Sequence, residues 1–459
     1  MGAGLSGLTT AFRLASHGFH VSIVDQSQIH SSKPLTAALS PDTPSEKTFP
    51  PLDRTEKTSD HTNNMPLVIH GFQQATWSLL RELQTLCHLT SLLPVTLEFM
   101  TRTRQPAPFK PLWAPAPFHT LIGLLRFQGM PLRERWTLLK RLEQYWEGDL
   151  EFPQDLKSQN VKAWLTTLEQ SEHTIQNIWN PLCHFFLGSD ATHSSAEYFK
   201  TSLVQYFLST RAQNRTIISP LDEESLLLTP LRQSLAAQHI AFHEHATVTH
   251  FHYDARGLTG VQLHDGTTLT ADFYVSAFPR ENLIACLSDR TLTKYAYFSN
   301  LVKLQEFSAL VTHLEIPCPI AKSRLLLFPS TFNWIAIQPL QDPPGRTTNC
   351  IRLSCVTTSE QPANEQSAHD TLSELSNILP APLNQHIQVS SSTSITQYTH
   401  TFIPCQPDTS VFRPIQKSPL SNFFLAGPWT DTGSPPSHES SIISANLCTQ
   451  SILDSIAHR

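Results

Sequence analysis

The stretch Gly2-Ala3-Gly4-Leu5-Ser6-Gly7 decides the fold of this chain. The residues after these glycines form an amphipathic segment and then a β-rich run, which ends at Asp25. Glycines with this spacing allow a tight turn and bring the amides of a helix start close to a pyrophosphate, while a carboxylate about 20 residues on binds ribose hydroxyls. The sequence therefore predicts a dinucleotide site. Its predicted residues are Gly2, Gly4, Gly7 and Asp25.

A turn of this kind normally comes after a parallel strand, because the strand leads the chain into the glycines. Here Met1 directly precedes Gly2. We expect that strand either upstream of Met1 or absent from the sheet of this domain.

Composition excludes several classes of protein. The chain has 459 residues, with 32 Lys and Arg against 38 Asp and Glu, and 40% of its residues are hydrophobic. A net charge of −6 speaks against a nucleic-acid-binding surface, and the apolar content speaks against a disordered chain. The sequence shows neither an apolar run of the roughly 18 residues that a membrane span needs nor a secretory signal. The eight cysteines lie apart, without a Cys-x-x-Cys pair, which predicts reduced thiols in a cytoplasmic protein.

Histidine pairs offer the one candidate for metal binding. His243 with His245, and His250 with His252, are spaced to share one face of a strand and could chelate a metal ion. In a chain with 22 histidines we interpret them as solvent-facing strand residues, and no metal site is predicted.

Two later segments complete the pattern of a nucleotide-binding domain. Residues 245–276 predict a β-meander, with turns at Asp254 and Asp265-Gly266. The run Phe424-Leu-Ala-Gly427-Pro428-Trp429-Thr430-Asp431 predicts a strand that ends in a glycine loop, with a helix from Ser437 onward. The start of that helix can face a negatively polarised ring edge. Residues 66–86 and 161–209, before the meander, predict helices, and residues 295–400, after it, predict strands.

The three segments together resemble the flavin-dependent amine oxidase and phytoene desaturase superfamily. The last one, through His438 and Glu439, is similar to the tail of the squalene-associated FAD-dependent desaturases, also called hydroxysqualene dehydroxylases. Further similar segments occur in the same order: Gly71 with Thr76-x-x-Leu79-Leu80-Arg81, Trp113-Ala-Pro-Ala-Pro-x-His119, Ala163-Trp164-Leu165 and Trp179-x-Pro-Leu-Cys183. The resemblance covers residues 2–285 and 400–456.

The resemblance implies FAD bound in an extended pose. By position, Gly2, Gly4 and Gly7 contact the pyrophosphate, and Asp25 contacts the adenosine ribose. The backbone of Val248 contacts the adenine, and Gly427, His438 and Glu439 contact the ribityl chain and the flavin edge. Three features depart from the family: Pro428 stands at an acid position, Ser440 stands at a glycine position, and a Gly-Gly-Arg segment is missing after Asp25. These departures predict weaker FAD binding than in the family.

The predicted fold is α/β, with two domains. A discontinuous Rossmann-like FAD-binding domain is formed by residues 1–64, 212–290 and 401–459. An α+β substrate domain is formed by residues 65–211 and 291–400.

The favoured function is that of an FAD-dependent oxidoreductase acting on a long isoprenoid. The specific expectation is removal of an allylic hydroxyl from hydroxysqualene, which gives squalene for hopanoid or terpenoid biosynthesis. Two alternatives stay open: an oxidative desaturase or amine oxidase of the same fold, and a flavin-free homologue that serves as a non-catalytic pathway partner. The sequence identifies no catalytic residue.

The expected partner is an apolar isoprenoid, with no nucleic acid, and the oligomeric state stays open. The basic and aromatic stretch 121–146 predicts a peripheral contact with the inner face of the cytoplasmic membrane. The candidates for lining an apolar substrate tunnel are Trp113, Trp179, Phe185 and Phe186.

Overall fold

The computed structural model describes most of the chain. The described residues are 1–26, 65–90, 92–101, 105–147, 156–254, 257–318, 320, 322–329, 332–340, 350–359, 368–381, 383–389 and 394–457. The part of the chain after Asp25 where the family has a Gly-Gly-Arg segment lies largely outside the described residues.

The strands of the described residues are numbered in chain order. They are β1 Ser22–Val24, β2 Val68–His70, β3 Leu97–Met100, β4 Pro106–Pro108, β5 Thr216–Ile218, β6 Ala241–His243, β7 Val248–Tyr253, β8 Leu258–Leu263, β9 Thr268–Leu269, β10 Tyr274–Ser276, β11 Phe307–Pro317, β12 Arg324–Leu327, β13 Trp334–Pro339, β14 Cys350–Ser359, β15 Ser394–Phe402 and β16 Phe423–Leu425.

The α-helices of the same residues are numbered likewise. They are α1 Leu5–Ser16, α2 Gln74–Glu82, α3 Cys87–Thr90, α4 Phe118–Arg126, α5 Leu132–Glu147, α6 Val161–Thr167, α7 Glu172–Thr174, α8 Asn180–Leu187, α9 Ala196–Leu203, α10 Thr229–Ala237, α11 Arg280–Cys286, α12 Asp289–Lys294, α13 Ala296–Ser299, α14 Ala368–Ile378, α15 Leu383–Val389 and α16 His438–Ala457. Three π-helical turns, Ile175–Trp179, Val204–Leu208 and Glu224–Leu228, adjoin α8, α9 and α10.

The nucleotide-binding part is built on two pairs of parallel strands. Strand β1 pairs with β6, and β10 pairs with β16. Met1 and Gly2 lie between the pairs: the Met1 amine donates to the Val275 carbonyl at 3.0 Å, and the Ala277 amide donates to the Met1 carbonyl at 2.8 Å. On the other side, the Gly2 amide donates to the Val24 carbonyl at 2.8 Å. Met1 thus holds the position at which we expected the strand before the glycines.

A seven-stranded sheet forms the larger part of the substrate side. Its order is β15-β11-β14-β13-β12-β3-β4, and its neighbours are antiparallel except for the parallel pair of β12 and β3. The longest pairing, β11 with β14, runs over ten residues of each strand, from Ser308 opposite Ser359 to Pro317 opposite Cys350. The expected strand-rich character of residues 295–400 is therefore present in the described part of that range.

Helices α1, α2 and α16 pack together beside the glycine turn. Arg13 of α1 forms an ion pair with Glu82 of α2, and its Nε donates to Asn446 of α16 at 3.0 Å. Buried apolar residues of α1 and α2 share one cluster with Ile69 of β2. These contacts bring the start of α16 toward the chain segment that connects β2 to α2.

Packing differs from the sequence-based expectation in one region. The sequence predicts helix over residues 66–86 and groups them with the substrate side. Val68–His70 is instead a strand paired with β5. Ile69, Leu79 and Leu80 pack in the same cluster as Leu8 of α1, while Phe72 packs against the cluster of the substrate side. The domain assignment of this segment stays a prediction. Three β-rich residues are enough for this strand because β5 supplies its partner, a long-range contact that local periodicity does not report.

Candidate functional site

The glycine turn uses its three glycines for two different purposes. Gly2 has φ +97°, and a Cβ there would lie 2.8 Å from the Ala277 carbonyl oxygen. A Cβ on Gly7 would overlap the Gly2 carbonyl oxygen. These two positions need glycine for the packing of the turn itself. Gly4 is different, because a Cβ there meets no atom within 4 Å.

The open position at Gly4 lies at the start of α1. Gly4 is the N-cap of this helix, no side chain caps it, and its first turn carries no acidic residue. Free amides at a helix start together with open space for close approach suit a pyrophosphate. The residues present therefore fit the phosphate portion of a dinucleotide, as the sequence predicted.

Asp25 lies directly beside this turn. Its carboxylate accepts a hydrogen bond of 2.5 Å from the Ala3 amide. Its backbone is held by the end of β6 and the loop that follows, since its amide donates to the His243 carbonyl at 3.0 Å and its carbonyl accepts from the Ala246 amide at 2.8 Å. The predicted pairing of glycine turn and acid is present in the structure.

Val248, the predicted adenine contact, begins β7 close to this region. It packs in one buried cluster with Val24 and Ala246. Its carbonyl accepts a hydrogen bond from the Cys286 thiol at 3.4 Å. The Val248 carbonyl is therefore already bound to the Cys286 thiol. Fewer backbone groups of Val248 remain to form a hydrogen bond with an adenine.

Gly427 comes after β16 and is buried in a small polar network. Its amide donates to Ser444 Oγ at 3.0 Å, and its carbonyl accepts from Thr430 Oγ1 at 2.8 Å. The same two hydroxyl groups contact each other at 2.7 Å. The backbone of Gly427 thus anchors the loop to α16. A Cβ on Gly427 would lie 2.7 Å from Trp429 Nε1, so the Trp429 ring already occupies the space beside it. The contact of Gly427 with a ribityl chain stays a prediction.

Ser440 has a clear structural role at its departure from the family pattern. The Ser437 amide donates to Ser440 Oγ at 2.8 Å, and the Ser440 amide donates to Ser437 Oγ at 3.3 Å. This reciprocal pair is a capping box for α16, which begins at His438. The predicted loss of backbone room at Ser440 is accompanied by this stabilising cap.

Glu439 holds α2 rather than facing open space. Its carboxylate accepts from the Ala75 amide at 3.0 Å, the Thr76 amide at 2.8 Å and the Thr76 hydroxyl at 2.6 Å. Burial raises the pKa of the Glu439 carboxyl. Both carboxylate oxygens cap α2, whose own N-cap residue supplies no side-chain bond. The Glu439 side chain is therefore a positioning group for α2. The predicted contact of the helix start at Glu439 with the flavin edge stays a prediction.

Replacing Glu439 with alanine is expected to lower the free energy of unfolding by about 2–4 kcal/mol. The change leaves two amides and a hydroxyl of α2 without their acceptor in a buried position, and each such group costs about 1–3 kcal/mol before relaxation. Urea unfolding measured by circular dichroism gives this quantity, with Thr76→Val as the control that removes one bond only. Equal stability of the two variants would contradict the assigned role.

His438 joins the start of α16 to β2 through one glutamine. Its Nε2 lies 3.1 Å from Gln73 Oε1, which also accepts from the His70 amide at 2.8 Å. Since this oxygen is an acceptor, His438 carries its proton on Nε2. Burial lowers the pKa of His438 to about 4 and, together with the nearby His438, lowers the pKa of His70 to about 3. Both imidazoles are therefore uncharged at neutral pH.

His70 lies among aromatic rings that form an apolar surface, here called the aromatic face. Its members are Phe72, Phe185, Phe186, Tyr206 and Phe207. His70 stacks on Phe72 with ring centroids 5.2 Å apart, and it meets Phe185 and Tyr206 edge-on at 5.6 and 5.5 Å. The four phenylalanines pack against a buried cluster yet keep part of their surface accessible.

The aromatic face retains two of the four predicted tunnel residues. Phe185 and Phe186 belong to it. Trp113 is 85% exposed on the outer surface, and Trp179 is buried, with its Nε1 donating to Gln170 at 3.0 Å. Sequence reasoning missed His70, Gln73 and Tyr206, because residues 66–86 have the spacing of one helix and Tyr206 carries no motif.

The histidine pairs considered for metal binding do not belong to the aromatic face. Of the first pair, His243 ends β6 beside Asp25, whereas His245 lies beyond this strand with φ +50°. In the part of the chain that the structure describes, His, Cys, Asp and Glu side chains form no group of three that could hold a metal ion. All eight cysteines are free thiols, and five of them are buried.

Comparison with known proteins identifies the family. A family model described as flavin containing amine oxidoreductase matches residues 55–453, and a model of the NAD(P)-binding Rossmann-like domain matches residues 1–30. The chain belongs to the flavin-containing amine oxidoreductase family. As a member of this family it is an FAD-dependent oxidoreductase, and the open helix start at Gly4 fits this cofactor.

Relatives of this amine oxidoreductase are distant in sequence and similar in fold. A probable zeta-carotene desaturase of Synechococcus elongatus is 23% identical over 68% of this chain and 70% of its own length. A zeta-carotene desaturase of Synechocystis is 23% identical over 67% of this chain and 68% of its own length. A solved oxidoreductase of Methanosarcina mazei has a TM-score of 0.64 at 14% identity, over 99% of this chain and 98% of that chain. A triple mutant of putrescine oxidase has a TM-score of 0.65 at 12% identity, over 100% and 98%.

Proposed function

We propose that this amine oxidoreductase acts on a long isoprenoid and removes the allylic hydroxyl of hydroxysqualene to give squalene. The observation that carries the proposal is the aromatic face beside the start of α16. It is apolar, partly accessible and linked through His70 and Gln73 to His438 at the helix start that the resemblance places at the flavin edge. An apolar surface at that position suits a hydrocarbon chain.

The residues of this site bind and orient rather than transfer protons through charged groups. When bound and reduced, FAD would supply the hydride that replaces the hydroxyl and the proton with which the hydroxyl leaves as water. Gly4 and the start of α1 would hold its phosphates, and Asp25 would hold its adenosine ribose. The aromatic face would hold the substrate and exclude water, while the uncharged His70 and His438 keep unpaired charge out of this apolar region.

A second candidate is oxidative desaturation of a carotenoid-like isoprenoid. The two zeta-carotene desaturases among the relatives favour it. Both candidates use an apolar substrate surface and differ in the direction of electron flow and in the presence of an oxygen on the substrate.

Turnover with purified, FAD-loaded protein separates the two candidates. Reduced protein is mixed anaerobically with hydroxysqualene, oxidised protein is mixed with zeta-carotene, and products are identified by mass spectrometry. Squalene from the first mixture supports the proposal, and new double bonds in the second support desaturation. The absence of both products, with the protein holding its FAD, would overturn the isoprenoid assignment.

We further propose that helices α4 and α5 form the contact with a membrane surface. Large apolar side chains are exposed here, with Phe118 at 59%, Leu132 at 70% and Trp136 at 58%. Exposed basic residues accompany them at Arg126, Arg133 and Lys140. Exposed apolar side chains beside basic ones suit an anionic lipid surface. Among the helices of the described ranges, none combines the length and apolar character needed to cross a bilayer.

Arg135 does not belong to this surface, although the predicted stretch includes it. It is buried, with Nε donating to the Met130 carbonyl at 2.7 Å and a terminal nitrogen donating to the Leu125 carbonyl at 2.6 Å. Arg135 ties the end of α4 to α5, so its replacement would test stability rather than membrane binding.

Charge reversal on this surface is expected to weaken vesicle binding. Arg133→Glu and Lys140→Glu should each lower affinity for phosphatidylglycerol-containing vesicles by about fivefold or more, because a surface Lys or Arg contributes about 1 kcal/mol. Co-sedimentation at low salt measures the effect, and Arg290→Glu on the exposed side of α12 is the matched control. Equal loss in the control, or no binding by the unmodified protein, would contradict the proposal.

A further inference from the structure

A chain of hydrogen bonds runs from His70 to Tyr206 and fixes the direction of each donor. Thr216 Oγ1 donates to the Tyr206 hydroxyl at 3.0 Å, and His70 Nδ1 lies 3.0 Å from Thr216 Oγ1. Because the threonine proton points to Tyr206, the His70 contact requires a proton on Nδ1. Among the described residues, the Tyr206 hydroxyl then has no acceptor for its own proton.

The Tyr206 side chain is nearly inaccessible, with 4% of its surface exposed. Burial raises the pKa of Tyr206 to about 12, so its hydroxyl keeps the proton at neutral pH. A buried hydroxyl donor without an acceptor is costly, by about 1–3 kcal/mol. Such a group is expected to find its partner in a bound molecule.

The backbone around Tyr206 is also unusual. Tyr206 lies in the π-helical turn Val204–Leu208, which continues α9, and π-helical turns occur frequently at functional sites. Its ring contacts three other members of the aromatic face, Phe72 at 6.4 Å, Phe186 at 5.4 Å and Phe207 at 4.8 Å. The hydroxyl is thus carried by a ring that is itself part of the apolar surface.

We propose that Tyr206 is the specificity-determining residue of this site and donates a hydrogen bond to an oxygen of the substrate. The ligand class is an otherwise apolar isoprenoid that carries one hydroxyl or ether oxygen. This inference rests on the proposed function, because it takes the aromatic face as the substrate surface. It favours an oxygenated substrate over a pure hydrocarbon, which would leave the Tyr206 donor unpaired.

Three matched ligands test the donor directly on the FAD-loaded protein. They are farnesol, farnesyl methyl ether and farnesene, which share an isoprenoid body and differ in their oxygen. Binding is measured by equilibrium dialysis and by the change in flavin absorbance. Farnesol and the ether are each expected to bind about tenfold more tightly than farnesene, because one hydrogen bond to a buried donor gives roughly this factor.

Tyr206→Phe is expected to abolish this preference and to leave the affinity for farnesene unchanged. The control is Tyr198→Phe, a buried tyrosine of α9 in the same cluster but outside the aromatic face, which should keep the preference. The melting temperature of each variant establishes that it is folded. The ether comparison needs no variant, so the test stands even if Tyr206→Phe fails to fold.

The outcomes separate this inference from the function on which it rests. Equal binding of all three ligands by the unmodified protein would overturn it. Tight binding of farnesol but not of the ether would also overturn it, because the ligand rather than Tyr206 would then be the donor. The inference would likewise be overturned if Tyr206→Phe still bound farnesol and the ether more tightly than farnesene. If squalene still forms from hydroxysqualene in any of these cases, the proposed function stands and the role of Tyr206 alone fails.

Discussion

Gly7→Ala is expected to abolish FAD binding and to destabilise the nucleotide-binding part of the protein. The added methyl group would overlap the Gly2 carbonyl oxygen, a backbone atom that cannot rotate away. Helix α1 would have to move from the turn, which would disturb its packing against α16. Overpacking of this kind costs typically about 1–3 kcal/mol and more where backbone meets side chain. Thermal unfolding and the flavin content of the purified variant measure both effects.

Gly4→Ala is the matched control, with a different expected result. A methyl group at Gly4 meets no atom within 4 Å, so the melting temperature of the FAD-free protein should fall much less than in Gly7→Ala, by the modest cost of alanine at a helix N-cap. FAD affinity should fall by about ten- to a hundredfold, because the methyl group keeps the pyrophosphate from the backbone amides and weakens hydrogen bonds to a charged group. Calorimetric titration gives the affinity. Unchanged FAD binding by Gly4→Ala would place the phosphates elsewhere.

Stability is expected to fall steeply between about pH 6.5 and pH 5. Burial lowers the pKa of His70 to about 3, that of His438 to about 4 and that of His184 to about 4. In the unfolded chain these groups bind a proton near pH 6.5. Below that pH the unfolded state therefore holds more protons than the folded state, and the free energy of unfolding decreases as pH falls. Three such groups give about 4 kcal/mol per pH unit at most.

Urea unfolding at pH 7, 6 and 5 measures this loss. His184→Gln is a useful variant, because His184 lies outside the link between His70 and His438 and contacts Thr358 Oγ1 at 2.8 Å. It should remove about a third of the pH dependence that these three imidazoles contribute and leave the rest. A free energy of unfolding that stays constant from pH 7 to pH 5 would show that these imidazoles are not buried uncharged.

The sequence was most informative where local chemistry repeats a strict pattern. The glycine turn, α1, β1 and Asp25 could be predicted together, because each glycine position has its own steric reason and the acid stands at the end of the next strand. The turns also predicted the meander of β7, β8 and β9, although residues 274–276, predicted as the end of its third run, form β10 and pair with β16 instead. The α/β fold and the FAD cofactor could be inferred from these segments and are confirmed by the family.

The substrate side of the site could not be read in the same way. His70 lies on a three-residue strand that exists through its pairing with β5, 146 residues further on at Thr216. The role proposed for Tyr206 depends on its hydrogen bond with Thr216 and on its contacts with aromatic rings of several other elements. The sequence placed Glu439 at the start of a helix but did not predict its role, because its partners Ala75 and Thr76 lie in a helix far away along the chain. Partners that lie so far apart along the chain produce no recognisable residue spacing, so the sequence alone does not predict their contacts.

The π-helical turn Val204–Leu208 has a consequence for how chains of this kind can diverge. A π-helical turn holds one residue more than an α-helical turn at the same place. Deleting a single residue there would restore α-helical pairing, and each later residue of the turn would take the place of its predecessor, a shift of about 100° around the helix axis. The residue presented beside Phe72 and Phe186 would then change without any substitution among the aromatic rings. Single-residue insertions and deletions are therefore an evolutionary route by which this site could replace the Tyr206 hydroxyl with another side chain beside the substrate.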